Sequence, residues 1–345
     1  MTLKKNFTNK SFCITGGTGS FGRFMLDRLL KTDAKSITIF SRDEKKQDDL
    51  RKIVDDERVS YVLGDVRDIN DIRYAFSNVN YVFHAAALKQ VPSCEFFPEQ
   101  ALRTNADGTR NAIKVARELG IEKFVLLSTD KAVYPINAMG ITKALAEKIV
   151  QAEARKFPDA PTKLMITRYG NVMGSRGSVI PLFIDQILSG KKLTITNPDM
   201  TRFLMNLNES IDLVLYAFEK GKSGNIYIHK APSTNLIELS NALKNIFSSN
   251  VEIDIIGTRH GEKLFETLVS DEEMVKAIDR GKYFEIPLDE RNLNYSPFFD
   301  SGNKISQDKN IFQFNSHNAK RINGLDLERF LSAQDFIAEH LKKSE

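Results

Sequence analysis

The glycine-rich segment after the first apolar run constrains the fold of this chain more than any other feature. Ser11–Thr15 has the composition of a buried strand and leads directly into Thr15-Gly-Gly-Thr-Gly-Ser-Phe-Gly22, with glycines spaced as G-x-x-G-x-x-G. A helical pattern, Phe21–Lys31, follows at once. A strand, a tight glycine turn and a helix N-terminus form a pyrophosphate-binding unit, because glycine lets the backbone approach the ligand. We therefore predict that a dinucleotide cofactor binds here; a structural turn without a ligand is the alternative. The predicted contacts are Gly16, Thr18, Gly19, Ser20, Phe21 and Gly22.

The first half of the chain alternates apolar strand patterns with helical patterns. Such alternation predicts a Rossmann-like, doubly wound parallel sheet covered by helices on both faces, which is an α/β fold. The predicted strands are Ser11–Thr15, Ser36–Phe40, Val59–Leu63, Tyr81–His84, Lys123–Leu127 and Lys163–Thr167. The predicted helices are Phe21–Lys31, Glu44–Ile53, Ile69–Phe76, Pro98–Leu119 and Met139–Phe157.

The pattern changes after Arg168. We predict a cofactor domain over residues 1–168 and, over 169–345, a smaller α+β substrate-binding lobe that is interleaved with it. Residues 281–303 are rich in aromatic and loop-forming residues and are predicted to form an ordered irregular arm that caps the site or embraces a neighbouring subunit. The other predicted elements are helices at Pro181–Leu188, Glu209–Glu219, Leu236–Phe247 and Leu325–Leu341, and strands at Leu193–Thr196, Asn225–His229 and Val251–Ile256.

Composition narrows the class of protein. The 345 residues, 41% hydrophobic and 27% charged, are typical of a soluble globular protein. A net charge of +4 is too small to indicate nucleic-acid binding, although it suits an anionic small substrate. Two cysteines and five histidines indicate neither a disulfide framework nor a metal site. Because no apolar run approaches the roughly 20 residues that span a bilayer, we expect a cytoplasmic protein without a membrane segment.

The end of the second predicted strand bears on the choice of cofactor. A ribose 2′-hydroxyl is usually bound by an acidic residue at this point. This chain has Ser41 and Arg42 there, with Lys45 close behind, and a hydroxyl with a guanidinium suits a 2′-phosphate. Asp43 and Glu44 are the counter-evidence, although they follow the strand tip by two or three residues. We therefore predict NADP rather than NAD.

Further segments are predicted to line the cofactor. Asp65 and Val66 follow the third strand and are placed at the adenine. The fourth strand ends at His84 and continues as Ala85-Ala-Ala-Leu-Lys89, whose small residues let the chain run under a ligand; Ala85, Ala86, Ala87 and Lys89 are the expected contacts. For His84 a locally bonded strand end is favoured over catalysis. Asn105 is either a polar bridge in the core or part of a proton relay at the cofactor.

The stretch Ser128–Lys143 carries the candidate catalytic groups. Ser128, Thr129, Asp130 and Lys131 follow a buried strand, and Met139 and Lys143 lie four residues apart on one face of the next helix. Hydroxyl, carboxylate and ammonium groups thus converge from two rigid elements, as proton transfer requires. A polar loop with a solvated lysine and a surface ion pair is the competing interpretation.

Taken together, these motifs resemble the extended short-chain dehydrogenase/reductase family, over roughly residues 8–265. The chain looks most similar to bacterial UDP-N-acetylglucosamine 4,6-dehydratases of the 5-inverting type, which serve capsule and O-antigen biosynthesis. The motifs that carry this narrower resemblance are Ala86-Ala-Leu-Lys-Gln-Val-Pro-Ser93, Ser128-Thr-Asp-Lys-Ala132, Pro135-Ile-Asn-Ala-Met-Gly140, Arg168-Tyr-Gly-Asn-Val172, Thr201-Arg-Phe203, Gly261-Glu-Lys263 and Arg291-Asn-Leu-Asn-Tyr295.

One departure from the broad family narrows the assignment. The family has tyrosine four residues before the helix lysine, and here that position is Met139, whose thioether transfers no proton at neutral pH. The resemblance implies hydride transfer from C4 of the sugar to NADP, loss of water across C5 and C6, and hydride return to C6. It further implies Lys131 as the C5 base with a pKa lowered by burial, Asp130 as the acid for the C6 hydroxyl, Ser128 or Thr129 at the C4 oxygen, and Lys143 at the nicotinamide ribose. The group that deprotonates the C4 hydroxyl stays open.

The same resemblance implies the substrate contacts and a homo-oligomer. Arginines are candidates for the pyrophosphate, which a guanidinium fork fits. The set is Lys89, Tyr169, Asn171, Ser178, Val179, Thr194, Arg202, Arg259 and Glu262. Two other functions stay open: a UDP-sugar 4-epimerase, which uses the same cofactor cycle without elimination, and a non-catalytic NADP-binding protein.

Overall fold

A nine-stranded sheet forms the centre of the computed structural model, which describes residues 7–174, 178–257, 263–289 and 312–344. The sheet order is β13-β14-β9-β6-β5-β4-β1-β2-β3. The strands from β9 to β3 in this order are parallel to one another. Strands β14 and β13 are added antiparallel at the β9 edge. Their bounds are β1 Ser11–Thr15, β2 Ser36–Ser41, β3 Val59–Leu63, β4 Tyr81–His84, β5 Lys123–Leu127, β6 Lys163–Arg168, β9 Ile226–His229, β13 Ile278–Asp279 and β14 Tyr283–Ile286.

The order 3-2-1-4-5-6 is that of a dinucleotide-binding Rossmann sheet, which confirms the predicted α/β fold. Strands β1 and β4 are wholly buried. Helices connect the parallel strands, as crossover connections require. These helices are α1 Ser20–Leu30, α2 Glu44–Ile53, α3 Ile69–Ala75, α4 Val91–Phe96, α5 Pro98–Ala101, α6 Gly108–Glu118, α7 Ala138–Lys156 and α9 Leu207–Lys220.

A second, smaller lobe has its own apolar core. Met173, Phe183, Leu193, Leu239 and Leu331 are buried together, apart from the core of the large sheet. Three two-stranded sheets, β7–β11, β8–β10 and β12–β15, lie outside the main sheet. The elements are α8 Val179–Leu188, β7 Leu193–Ile195, β8 Thr201–Phe203, β10 Ser233–Asn235, α10 Leu236–Ile246, β11 Ile253–Ile255, β12 Thr267–Val269, α11 Asp271–Met274, β15 Phe314–Asn315 and helices Gly324–Ser332 and Asp335–Ser344.

The structure corrects three predicted elements. The single helix predicted over Pro98–Leu119 is divided by a π-helical segment, Leu102–Asp107, where the wider turn accommodates the inward side chain of Asn105. The arm predicted as irregular begins with strand β14, because Tyr283–Ile286 pairs with β9; residues 290–303 of the arm lie outside the described residues. The last helix is two helices, separated at Ala333 and Gln334. The structure also adds helix α4, in a stretch without a predicted element; it begins next to Pro92, which is favourable in a first turn.

The second half of the chain returns to the main sheet. Strand β9 pairs in parallel with β6, and β14 pairs with β9. Residue 168 therefore marks the end of the sixth strand and not the edge of the sheet. Within the described ranges, no helix is long and apolar enough to cross a membrane.

Candidate active site

The glycine turn lies at the carboxyl end of β1, next to the chain that leaves β4. Gly16 has φ +68°, and a Cβ there would lie 2.9 Å from the Cα of Ala86. The backbone N–H of Ala86 donates to Thr15 Oγ1 at 3.2 Å, which ties the two loops together. Ala85 and Ala87 are half-buried beside it. Glycine at this position thus lets the two loops pack against each other at the end of β1, where a dinucleotide-binding fold holds the pyrophosphate.

Helix α1 offers its N-terminus to an anion. Gly19 is the N-cap and supplies no side chain, and no acidic residue occupies the first turn. Ser20 is exposed, Thr18 is buried, and Phe21 packs against Tyr169 with ring centroids 5.3 Å apart. A Cβ on Gly22 would lie 2.5 Å from the Cα of Gly17, so this glycine lets helix and turn pack closely. The helix dipole and unpaired N–H groups therefore favour a negatively charged ligand.

The residues after β2 present a basic rim. Arg42 is half-exposed, and its Nη1 lies 3.7 Å from Asp65, which also binds Arg67 at 2.6 Å. Asp43, the counter-evidence against a 2′-phosphate, is the N-cap of α2 and accepts from the N–H of Lys46 at 2.9 Å. Ser41 Oγ accepts from Gln47 at 3.1 Å, and Lys45 pairs with Asp49. Asp43, the acidic residue that follows the end of β2 most closely in sequence, is thus engaged in the N-cap of α2.

Two buried polar residues hold the loop after β4. His84 Nδ1 lies 2.9 Å from Thr15 Oγ1, and burial lowers the pKa of His84 to about 3, so the imidazole is neutral. Asn105 accepts from the N–H of Leu88 at 2.8 Å and donates to Leu88 O and to Thr142 Oγ1. Asn105 is therefore a polar bridge in the core, and Lys89 is exposed at the end of the loop it holds. Val66, predicted at the adenine, is buried and would contact a Cβ on Gly108.

The acid–base cluster forms where β5 and β6 end. Lys131 Nζ lies 3.1 Å from Asp130 Oδ1 and 3.2 Å from Asn171 Oδ1. Thr129 Oγ1 donates to the same Asp130 oxygen at 2.8 Å. The backbone N–H of Asp130 donates to Tyr169 O at 2.6 Å, which fixes the turn against β6. Asp130 is 2% exposed and Thr129 is half-buried, so the hydroxyl stands nearer to the surface than the carboxylate it binds.

The two lysines have opposite electrostatic environments. Burial alone would lower the pKa of Lys131, but Asp130 and Glu266 outweigh it, and the net effect raises the pKa of Lys131. The prediction of a lowered pKa is therefore wrong for the ligand-free protein, because a carboxylate pairs with the ammonium. Burial does lower the pKa of Lys143, to about 8; Nζ of Lys143 donates to Leu127 O at 2.5 Å.

Three charged residues near this cluster come from the second lobe. Arg202 Nε lies 3.7 Å from Glu266 Oε1, and both side chains are largely buried. Lys263 donates to Val133 O at 2.7 Å. The sequence predicts Arg202 as a substrate contact, and Lys263 lies in one of the motifs that carry the family resemblance. The sequence does not indicate Glu266 as a site residue, because a single glutamate beside a short strand pattern is not distinctive.

A buried ionic network supports the cluster from below. Ser128 Oγ donates to Glu147 at 2.5 Å, so the serine hydroxyl points into the protein and away from the predicted C4 contact. Arg168 binds Glu147 through Nε and Nη2 at 3.0 and 2.6 Å, and binds Glu273 at 2.8 Å. Arg168 also donates to Leu268 O at 2.8 Å. A fully buried guanidinium thus joins the helix that carries Lys143 to the second-lobe segment after β12.

Other predicted residues lie apart from the cluster. Tyr169 is buried and its hydroxyl donates to Ser210 O, so the phenol does not face a substrate. Met139 packs in an apolar cluster with Cys94 and Ala101 and is a core residue. Thr194, on β7, accepts a hydrogen bond from Gln186 on α8. Ser178 and Val179 begin α8.

Two predicted substrate contacts, Arg259 and Glu262, lie outside the described residues. Within the part of the chain that the structure describes, no group of three or more His, Cys, Asp or Glu side chains is placed to hold a metal ion.

Comparison with known proteins identifies the family. Residues 12–288 match the family described as "Polysaccharide biosynthesis protein", and residues 289–338 match its C-terminal counterpart. The chain belongs to this family. It is an extended short-chain dehydrogenase/reductase resembling enzymes of polysaccharide biosynthesis, as its motifs indicate. Proteins of Rickettsia rickettsii and Rickettsia felis, both named UDP-glucose 4-epimerase, are 53% and 52% identical to it over 342 residues, which is 98% of this chain and 100% of each relative.

Solved structures share the fold of this family member. Pen from Bacillus thuringiensis superposes with a TM-score of 0.83 and 33% identity, covering 95% of this chain and 99% of Pen. DesIV, a dTDP-glucose 4,6-dehydratase of Streptomyces venezuelae, has a TM-score of 0.66 and 21% identity over 74% of this chain and 86% of its own. UDP-glucose 4-epimerase of Thermotoga maritima has a TM-score of 0.64 and 22% identity over 73% of this chain and 87% of its own. The last two likenesses concern the fold alone.

The burial of Lys143 predicts a pH-dependent cost in stability. Its folded-state pKa of about 8 lies below the ordinary 10.5, so the unfolded chain binds the extra proton between these values. The free energy of unfolding should therefore rise with pH across this window. Lys143→Met should remove a cost of up to about 3 kcal/mol at or below pH 8, and the pH-dependent gain should vanish towards pH 10.5. Urea unfolding of both proteins at several pH values measures this.

The exposed residue Lys114 supplies the matched control. Lys114→Met should leave the slope of stability against pH unchanged. Equal slopes for wild type and Lys143→Met would contradict the lowered pKa of Lys143.

Proposed function

We propose that this family member is an NADP-dependent UDP-N-acetylglucosamine 4,6-dehydratase that inverts C5 and forms a UDP-2-acetamido-2,6-dideoxy-4-hexulose. The observation that carries the proposal is the ion pair between the buried Asp130 and the half-buried Lys131, with Thr129 bonded to Asp130. Met139 stands in the sequence where the broad family has tyrosine. An adjacent acid and base are what elimination of water needs in addition to hydride transfer. Cytoplasmic location stays a prediction from composition. A role in capsule or O-antigen synthesis and assembly into a homo-oligomer stay predictions of the sequence resemblance.

The cofactor is assigned to the turn after β1 and the rim after β2. The glycine turn after β1 and the N-terminus of α1 would hold the pyrophosphate. Arg42 with Lys45 would hold a 2′-phosphate. The engagement of Asp43 in its helix cap supports NADP over NAD. When bound, the nicotinamide accepts a hydride from C4 of the sugar and later returns it to C6.

Thr129 and Asp130 offer a route for the proton of the C4 hydroxyl. Thr129 Oγ1 already donates to Asp130, and a hydroxyl oxygen has two lone pairs for accepting. The C4–O–H proton would pass to Thr129 as the proton of Thr129 passes to Asp130, while the C4 oxygen becomes a ketone. This relay replaces the tyrosine of the broad family and leaves Asp130 as a carboxylic acid.

Protonation of Asp130 prepares the elimination. Lys131 loses the charge that mainly holds its proton, so its pKa falls, and the proton leaves to solvent from a side chain that is 27% exposed. Neutral Lys131 then takes the C5 proton, the C5–C6 double bond forms, and Asp130 gives its proton to the departing C6 hydroxyl as water. The pair is then again an ammonium and a carboxylate, ready for the next turnover. A solvent-derived proton added to C5 on the opposite face gives inversion.

The UDP-sugar is assigned to the space beside Lys131 and Arg202. Asn171, which contacts Lys131, would bind the sugar or the diphosphate. Arg202, whose Nε lies 3.7 Å from Glu266, would bind the diphosphate, because a guanidinium fork fits phosphate oxygens.

A UDP-sugar 4-epimerase is the second candidate, because the relatives with 52–53% identity carry that name. Epimerisation needs oxidation at C4 and return of hydride to the same carbon, and the Thr129–Asp130 relay would serve it equally. Lys131 would have no catalytic role in such an epimerase.

Product analysis in deuterium oxide separates these functions. UDP-N-acetylglucosamine incubated with NADP and the enzyme should lose one water and gain deuterium at C5, because the C5 proton comes from solvent. NMR and mass spectrometry of the product measure both changes. A 4-epimer with no deuterium at C5 would establish the epimerase instead, and unchanged substrate would favour a non-catalytic protein.

The relay predicts a step-specific defect. Thr129→Val, which removes the hydroxyl at nearly constant shape, should slow C4 oxidation roughly 100-fold or more. At a pH high enough to leave Lys131 neutral, the same variant should still exchange the C5 hydrogen of added 4-keto product, because Thr129 takes no part in that step. Single-turnover formation of reduced cofactor and NMR of the exchange measure the two steps, and Thr129→Ser is the matched control.

Asp130→Asn tests the same relay from its other end. The amide accepts no proton, so cofactor reduction should be lost together with elimination. Reduction at the wild-type rate followed by a stalled ketone would show that Asp130 serves only as the acid at C6.

A further inference from the structure

Glu266 is a buried carboxylate close to the acid–base cluster that the proposed steps do not use. It is 3% exposed and immediately precedes β12, which packs against the Asp130–Ala132 turn. A Cβ on Gly170 would lie 3.5 Å from Glu266 Oε2, and Gly170 adjoins Asn171, the residue that accepts from Lys131. The carboxylate therefore lies beside the residues that surround the pair.

The contacts of Glu266 are few for a buried charge. Oε2 accepts from the backbone N–H of Phe203 at 3.1 Å, and Oε1 lies 3.7 Å from Arg202 Nε. A buried carboxylate needs compensating charge, since burial disfavours the ionised form. The compensation available to Glu266 is the same set of cations that surrounds the active site.

The charges around Lys131 come from three segments. Asp130 lies beside it on the turn after β5, Arg202 lies on β8, and Lys263 and Glu266 lie on the segment before β12. Asp130 and Glu266 are the anions of this group, and Lys131, Arg202 and Lys263 are its cations. Removal of either carboxylate would increase the excess of positive charge beside Lys131.

We propose that Glu266 is a positioning residue that keeps Lys131 in its ammonium form until Asp130 has taken up the C4 proton. The inference rests on the proposed dehydratase function and deepens it. With Glu266 in place, Lys131 is no base while Asp130 is ionised, so oxidation at C4 precedes deprotonation at C5. The charge balance thereby sets the order of the two steps.

The electrostatics of the site support this assignment. Glu266 is one of the groups that raise the pKa of Lys131, after Asp130, and Arg202 acts in the opposite direction. Burial and the nearby Asp130 raise the pKa of Glu266 itself, with Arg202 and Lys131 opposing. The pKa of Glu266 thus depends on the charge of Asp130.

The test measures C5 hydrogen exchange of the purified 4-keto product in deuterium oxide as a function of pH, with the enzyme-free rate subtracted. Exchange requires neutral Lys131, so the wild-type rate should rise with pH. Because Glu266 favours the charged form, Glu266→Gln should move the midpoint of this rise to lower pH, by roughly one unit. Glu266→Asp, which keeps the charge, should restore the wild-type midpoint.

Arg202→Gln provides a second reading if Glu266→Gln folds poorly. Arg202 favours neutral Lys131, so its loss should move the midpoint to higher pH. The exposed Glu252 is the control, and Glu252→Gln should leave the midpoint unchanged.

Each outcome decides the inference. An unchanged midpoint in both Glu266→Gln and Arg202→Gln, with wild-type exchange intact, would overturn the role of Glu266 and leave the dehydratase proposal standing. Absence of 4-keto product and of C5 exchange in the wild type would overturn both.

Discussion

The ion pair between Asp130 and Lys131 is the interaction on which the chemistry of this site depends. The carboxylate is almost wholly buried, receives hydrogen bonds from Thr129 and Lys131, and is fixed through its own backbone to the end of β6. At this largely desolvated position each charge is stabilised by its partner, because the paired charge and its hydrogen bonds offset the cost of desolvation. Proton transfer to one member therefore changes the basicity of the other. This coupling allows one pair to serve as acid and base in turn.

The fold supplies the rigid elements that hold this pair. Parallel strands bring the ends of β1, β4, β5 and β6 to one edge, where the cofactor turn and the acid–base cluster lie side by side. Below them Arg168 joins Glu147 and Glu273, so the Lys143 helix and the second-lobe segment that carries Glu266 are tied to one guanidinium. Breaking such a pair costs about 3–5 kcal/mol, because an unpaired charge stays buried. The site is thus as rigid as the core beneath it.

The sequence predicts what local pattern determines. Strands β1 to β6, the glycine turn and the Ser128–Lys143 stretch follow from periodicity, glycine spacing and residue chemistry, and the structure has the predicted parallel sheet in the Rossmann order. The sequence does not predict the direction in which a side chain points at the end of a strand. Ser128 and Tyr169 lie in the right motifs, yet their hydroxyls bond Glu147 and Ser210. Glu266 comes to the cluster from more than 100 residues along the chain, which no local pattern encodes. The pKa of Lys131 is raised first by Asp130, its neighbour in sequence, because the turn pairs the two side chains.

The protonation state of Lys131 tests the central claim most directly. In ligand-free protein labelled with ¹⁵N-lysine, the Nζ resonance of Lys131, assigned by its loss in Lys131→Arg, can be followed through a pH titration by NMR. The account predicts an ammonium that persists above the ordinary lysine range and titrates at lower pH in Asp130→Asn, because the carboxylate holds the proton. A neutral amine at pH 7 in the wild type, or a titration that Asp130→Asn leaves unchanged, would contradict it.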